Sequence, residues 1–350
     1  MEGQTEPRKT GLNPFRRSVH SWVSKLERLT SAAPRKLDAA LHPMDERIGR
    51  TLVRLIRHVG FRTHERQMQF FELAQRHGLH VLENHFYSPV PDTTQLDPTT
   101  WRRRADHDGG FDLREDAQLA LLEELRTCAL ELEDVQEEVE DPTQFAWRNP
   151  AFWPGDAAAY YCMIRHTGAR RVLEVGSGYS TRIAARAALL NGAELTSIEP
   201  YPQDFLQMEL PGLSRLIKSP VQDVPFEVFE ALDEGDILFI DSTHVSKIGS
   251  DVNHLFLRVI PRLKPGVVIH VHDIFLPWDV PHGWVVDKKI FWNEQYLLQA
   301  LLTCNPSFEV LLGNQFMGRE HPSAFRAGFP CIPEHYAPGG VSFWFRKLAT

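Results

Sequence analysis

The sequence predicts an α/β fold in which a doubly wound, largely parallel sheet follows a helical N-terminal region. Three observations carry this. After Pro150, short apolar runs of strand length alternate with amphipathic helical stretches. The first of these runs leads into a glycine-bearing turn, Gly176-Ser177-Gly178, where a strand becomes a helix. Before Asn149, apolar residues recur instead at three- and four-residue spacing. The 350 residues suffice for one large α/β domain and a smaller companion.

Residues 1–43 read as a basic leader rich in Arg, Lys, Ser and Pro. It is either flexible or an arm for an anionic surface, with a short helical stretch near 19–29. Residues 44–148 read as a helical cap. From Glu46, the residues Ile48, Leu52, Leu55, Ile56 and Val59 form an apolar stripe that Gly60 stops. A second helix is expected at 63–76, then an extended, proline-punctuated segment at 85–91. A third helix is expected from Asp112, with Glu115 completing a capping box. It should bury Leu121, Leu122, Leu125 and Leu132 and leave Glu123, Glu124, Glu131 and Glu133 in water. In 149–350, strands are expected at 171–175, 194–198, 215–218, 237–240, 267–271, 308–312 and 341–346. Helices are expected at 181–190, 250–260 and 291–302. The Pro/Gly-rich stretch 319–340 is too long for a tight hairpin.

Hydrophobic content of 43% and charged content of 24% are ordinary for a soluble globular chain. A net charge of −8 gives no reason to expect a nucleic-acid partner. Cys128, Cys162, Cys304 and Cys331 lack the spacing of a disulfide framework or a zinc site. No apolar run approaches the roughly 18–20 residues of a membrane span. Arg16, Arg17, Lys25 and Arg28 interrupt any secretory h-region. A cytoplasmic location is the expectation.

Chemistry concentrates at the strand ends. The first strand and its turn read Val172-Leu-Glu174-Val-Gly176-Ser177-Gly178-Tyr179-Ser180-Thr181. Glycines there let a bound nucleotide approach the backbone, and Glu199, at the end of the next strand, can accept hydrogen bonds from ribose hydroxyls. A dinucleotide dehydrogenase would place a small residue where Ser180-Thr181 stands. The pattern Glu-x-Gly-x-Gly instead resembles the first motif of class I S-adenosylmethionine-dependent methyltransferases. That resemblance implies a sheet of order 3-2-1-4-5-7-6 over 149–350, the last strand entering antiparallel between the fifth and sixth. It also implies S-adenosylmethionine held by Glu174, Gly176, Ser177, Gly178, Tyr179, Ser180, Glu199 and Asp241. Gln222 and Asp223 follow the third strand, where that fold contacts adenine; Asp223 could equally cap a helix opened by Pro225.

The fourth strand ends Phe-Ile-Asp241-Ser-Thr-His244 and the fifth His270-Val-His272-Asp273. Adjacent parallel strands should bring Asp241, His244, His272 and Asp273 together. This pattern resembles the bacterial macrolide-sugar O-methyltransferase branch, which implies Asp241 and Asp273 as Mg²⁺ ligands and His244 as general base. His272, standing where that branch has a carboxylate, makes the metal set Asp241, His272 and Asp273 and favours softer ions. An alcohol is a poor nucleophile at neutral pH, so a base or a metal beside it is useful. His270 is expected to be structural. Trp278, on the segment after the fifth strand, and Tyr87, on 85–89, are candidate acceptor contacts, with Trp284, Trp292, Asn293, Glu294 and Tyr296 nearby in sequence. The acceptor is expected to be a small molecule or sugar, and the helical cap would close the site or make a homodimer contact. N-methylation is the runner-up. A non-catalytic binding protein is the reading from another class. The Asn-Pro-Pro-Tyr-like tetrad of nucleic-acid amino-methyltransferases is missing after the fourth strand.

Overall fold

The computed structural model describes residues 46–107 and 110–349, and the predicted leader, including its helix at 19–29, lies outside them. The described residues form two compact units that divide at Pro89/Val90, not at the expected 148/149. In the first unit, α1 (Glu46–Gly60) and α2 (His64–Arg76) form a helical hairpin. Thr63 caps α2, its hydroxyl accepting from the Arg66 N–H at 3.3 Å. Phe61 and Phe70 meet edge to face at 6.2 Å.

Residues 90–148 belong with the sheet for a physical reason. Leu122, Leu125, Ala129 and Leu132 are fully buried in the same core as the strands. They lie on or just after α3 (Glu115–Ala129). The expected capping box does not form. Asp112 Oδ1 accepts instead from the N–H of Arg114 at 2.8 Å, and Arg114 adopts a left-handed φ of 54° before the helix starts. Glu131 is not simply solvated either: it accepts from Arg165 Nε at 2.8 Å and Tyr161 Oη at 2.6 Å.

The sheet has seven strands in the expected order, β3-β2-β1-β4-β5-β7-β6. These are β1 (Arg171–Val175), β2 (Glu194–Ile198), β3 (Leu213–Ile217), β4 (Ile237–Ile240), β5 (Val268–Val271), β6 (Phe308–Gly313) and β7 (Phe343–Lys347). β7 runs antiparallel to both β5 and β6. All four residues of β4 are buried, which is why it reads as an unbroken apolar run. Helix α4 (Pro154–Thr167) opens on proline, ends at left-handed Gly168 and buries every residue from Pro154 to Ile164. The other long helices are α5 (Tyr179–Asn191), α6 (Glu294–Leu302), α7 (Asn314–Glu320) and α8 (Pro322–Gly328), the last inside the Pro/Gly-rich stretch. Among the described residues no helix is long and apolar enough to cross a membrane.

Register positions the site. Val175 pairs with Ile198 on one side and Ile240 on the other, and Ile240 pairs with Val271. The next residue of each strand therefore emerges along one edge: Gly176, Glu199, Asp241 and His272.

Candidate active site

The glycines of the β1 turn have different causes. Gly176 has φ +82°, and a Cβ there would lie 1.7 Å from the Asp241 carbonyl oxygen, so the closeness of the β1 and β4 ends demands glycine. Gly178 is extended, and a Cβ there would meet nothing nearer than 3.8 Å. The fold does not require its missing side chain. Glu174 is fully buried and accepts three hydroxyl hydrogen bonds, from Ser180 at 2.7 Å, Thr181 at 2.6 Å and Ser197 at 3.0 Å. Burial raises its carboxyl to about 7, against those three hydrogen bonds, which pull it down. Glu174 thus ties the first turn of α5 to β2 from inside the fold.

Glu199 accepts from the N–H groups of Ser177 at 3.2 Å and Tyr201 at 2.8 Å. Those two bonds leave lone pairs on both oxygens. A cavity of about 450 Å³ lies beside it, lined by Gly176, Glu199, Tyr201, Gln222, Asp241 and Lys247 among others. Of the predicted cofactor residues, Gly176, Glu199, Gln222 and Asp241 line it, whereas Glu174, Ser177, Gly178, Tyr179, Ser180 and Asp223 do not. Gln222 donates to the Gly249 carbonyl at 3.0 Å. Asp223 is exposed and caps nothing, since the following helical turn has no side-chain cap. Tyr179 lies under the Arg182 guanidinium, 4.5 Å from its ring centre.

One end of the lining, Asp241, belongs to a second assembly. His244 Nε2 lies 3.3 Å from Asp241 Oδ1 and 3.5 Å from Asp273 Oδ2, while its Nδ1 lies 2.9 Å from Glu294 Oε2. His272 Nδ1 is 3.6 Å from the same oxygens of Asp241 and Asp273, and its Nε2 faces Asp156 Oδ2 at 3.5 Å. Each imidazole is thus bracketed between the central Asp241/Asp273 pair and an outer, buried carboxylate. His244 and Asp273 both hold left-handed backbone, φ 59° and 56°, which non-glycine residues rarely adopt and which clusters at functional sites. The His244 carbonyl accepts from the N–H groups of Asn293 and Glu294, and the Trp292 ring lies 4.3 Å from the imidazole.

These contacts set the charges. Burial disfavours an imidazolium at His244, but hydrogen bonds and the charges of Asp241 and Glu294 outweigh it and raise the group to about 10. His272 is likewise raised well above its ordinary value, burial being overcome by Asp241 and Asp273. Burial opposes ionisation of Asp241, yet His272 and His244 hold it well below the carboxylate range.

Donor atoms of Asp241, His244 and Asp273 lie within 4.8 Å of one another. The expected ligand set had His272 where His244 now stands, although His272 also faces both carboxylates. Two partners escaped the sequence reading. Asp156 sits in the first turn of α4 and accepts from the N–H groups of Val341 and Ser342 and from Asn314. Its only sequence signal is a carboxylate opening an otherwise apolar helix. Glu294 stood out as a pocket residue but not as the partner of His244. His270 is structural: it stacks on Phe239 at 3.9 Å and shares a hydrogen bond with Ser342 at 2.9 Å. Trp278 is buried under Arg319 and borders a cavity of about 170 Å³ with Gln295 and Tyr296. Tyr87 is exposed in the N-terminal unit, against His85 and Phe86.

Residues 173–274 match the family model of a methyltransferase domain. An uncharacterized protein of Archaeoglobus fulgidus is 34% identical over 164 residues, 44% of this chain and 74% of that protein. Among solved structures, a putative methyltransferase from Thermobifida fusca is 13% identical, covering 55% of this chain and 79% of its own, with a TM-score of 0.34. The plantazolicin methyltransferase BpumL, in complex with SAH, is 13% identical over 68% of this chain and 99% of its own, also at 0.34. Likeness at those scores adds nothing to the assignment, which rests on the matched segment and the strand order. With a Glu-x-Gly-x-Gly turn after β1 and a sheet ordered 3-2-1-4-5-7-6, the matched residues 173–274 form a methyltransferase domain set in the sheet expected of the class I S-adenosylmethionine-dependent methyltransferases.

Proposed function

We propose that the protein methylates a hydroxyl of a small-molecule or sugar acceptor, assisted by a divalent ion at Asp241, His244 and Asp273. The observation that carries this is the double position of Asp241, which lines the nucleoside-sized cavity and also belongs to the carboxylate–imidazole cluster. S-adenosylmethionine fits the cavity's chemistry. Glu199 offers free lone pairs for ribose hydroxyls, and Gly176, held against the end of β4, forms part of the cavity wall beside it. The cofactor supplies an electrophilic methyl group; the chain supplies position and a destination for the acceptor's proton.

The donor set fits a metal. His244 presents Nε2 to two carboxylates while Nδ1 is held by a buried third, the carboxylate–histidine arrangement that orients metal-binding imidazoles. A bound ion would lower the pKa of an acceptor hydroxyl. An imidazole among the donors suits Mn²⁺, Fe²⁺ or Zn²⁺ better than Mg²⁺. Ligation and general-base action both need a neutral imidazole, a state that the carboxylate neighbours of His244 disfavour below about pH 10. A cation held by Asp241 and Asp273 would offset those negative charges and displace the proton from Nε2, whereas a base role offers no such compensation, so we favour His244 as ligand. An amine acceptor is the second reading, because the same carboxylates would attract an ammonium group.

The test is methyl transfer from labelled S-adenosylmethionine to sugars, phenols and amines, with and without chelator, in the wild type and His244→Ala. The expected outcome is chelator-sensitive O-methylation that His244→Ala lowers by about 10²–10⁴-fold, with calorimetric cofactor binding retained. No cofactor binding near 1 mM (roughly the weakest affinity worth a functional claim) would sink the enzyme reading. Chelator-insensitive turnover would remove the ion, and a product methylated on nitrogen would move the assignment to amines.

A further inference from the structure

Ten of the twenty exposed large apolar side chains among the described residues lie in residues 46–89, far more than that short unit's share. They include Ile48, Leu52 and Val59 on α1 at 40–52% exposure, and Phe86 and Tyr87 at 81% and 84%. Helix α1 is also divided by charge. At about 100° per residue, Arg47, Arg50, Arg54 and Arg57 fall within about 80° of one another, and Ile48, Leu52, Leu55, Ile56 and Val59 span about 100° on the opposite side. Arg50 and Arg57 reach Glu46 and Glu83 only through well-exposed pairs of 3.3 and 3.9 Å, which contribute little and are easily exchanged.

The charge extends beyond the helix. Residues 1–62 hold thirteen Lys and Arg against six Asp and Glu, whereas the whole chain has a net charge of −8. The rest of the protein is therefore strongly acidic, and the basic excess is confined to the end that also exposes apolar side chains.

We propose that the N-terminal unit docks on an anionic lipid bilayer. Helix α1 lies in the interfacial plane, its arginines at the headgroups and Ile48, Leu52 and Val59 toward the acyl boundary, with Phe86 and Tyr87 as aromatic anchors. A helix with one basic face and one apolar face, too short to span, binds bilayers in this way. Charge complementarity selects the occupant. A second copy of this chain packed on the apolar stripe would leave the arginines on the outside without counter-charge, whereas anionic headgroups supply that charge beside the apolar layer. Phe86 and Tyr87 are residue types that favour the boundary between headgroups and hydrocarbon. This inference stands apart from the acceptor and the metal.

The test is flotation of the full-length protein with vesicles of phosphatidylcholine alone or with about one-third phosphatidylglycerol, a composition with a strongly negative surface potential. Wild type should float with the anionic vesicles only. Because one arginine near such a surface is worth roughly a five-fold gain in partition, Arg50→Glu/Arg54→Glu/Arg57→Glu should lose on the order of 100-fold or more. Raising salt to about 0.5 M should weaken wild-type binding without any mutation. Helicity by circular dichroism and calorimetric cofactor binding check that the variant is folded. Failure of wild type to bind anionic vesicles, or equal binding by the triple variant, overturns the proposal. So does a dimer dispersed by Leu52→Asp without any vesicle binding, or tighter binding to duplex RNA or DNA than to vesicles.

Discussion

Gly176→Ala tests whether the β1 turn is held against the end of β4. The alanine Cβ would sit 1.7 Å from the Asp241 carbonyl oxygen, about half an ordinary contact distance, so one of the two strand ends must move by roughly 1.5 Å. That movement is resisted, because the Asp241 N–H donates to the Val175 carbonyl at 2.8 Å and Gly176 N–H to Ile198 at 3.0 Å. Left-handed backbone at a residue with a Cβ costs about 1–2 kcal/mol, and overpacking adds about 1–3 kcal/mol. The expected loss is about 2–5 kcal/mol. Gly192→Ala is the control: its φ is +66°, but a Cβ there meets nothing within 4 Å, so only the backbone cost of about 1–2 kcal/mol applies. Urea denaturation of both variants measures the difference, and calorimetry should show cofactor affinity falling in Gly176→Ala alone. Equal stability of the two variants would refute the close approach.

Glu174 and Asp156 give two further expectations. Glu174 titrates near 4.5 in the unfolded chain and about 7 in the fold, so its stabilisation is complete below pH 4.5 and is lost as pH rises through 7. By pH 8 that loss is on the order of 3 kcal/mol. Glu174→Gln, neutral at every pH, should flatten the stability profile between pH 5 and 8; an unchanged profile measured by denaturation would count against the buried carboxylate. Asp156→Ala should cost about 3–5 kcal/mol, because it strands the N–H groups of Val341 and Ser342 and leaves His272 without its outer partner. A loss below about 1 kcal/mol, read from the same denaturation curves, would show that β7 does not depend on this carboxylate.

Local pattern was enough for much of this protein. The unbroken apolar run Ile237–Ile240, short and bounded by Gly235-Asp236 and Asp241, reads as a strand covered on both faces, and the glycine-bearing turn after Val175 marks the start of a doubly wound sheet. Asp241, His244, His272 and Asp273 were legible because adjacent parallel strands in register must bring their ends together. These features depend on residues within a few positions of one another, or on one register rule.

What periodicity could not supply is the partner a side chain meets across the fold. Glu294 lies fifty residues from His244, and the only cue linking them is the packing of the 292–294 segment against the His244 loop. Asp156 reaches His272 because α4 is buried beside β7. Glu174, legible as a cofactor motif, proves to be satisfied by three hydroxyls within the fold. The 89/90 division, too, depends on where Leu122 and Leu125 find cover, and an amphipathic stripe says only that cover is needed. Local pattern and strand register thus account for the sheet and for the residue types gathered along one of its edges. Tertiary packing alone decided that both imidazoles are bracketed by buried carboxylates, because burial and charge pairing are properties of neighbours in space.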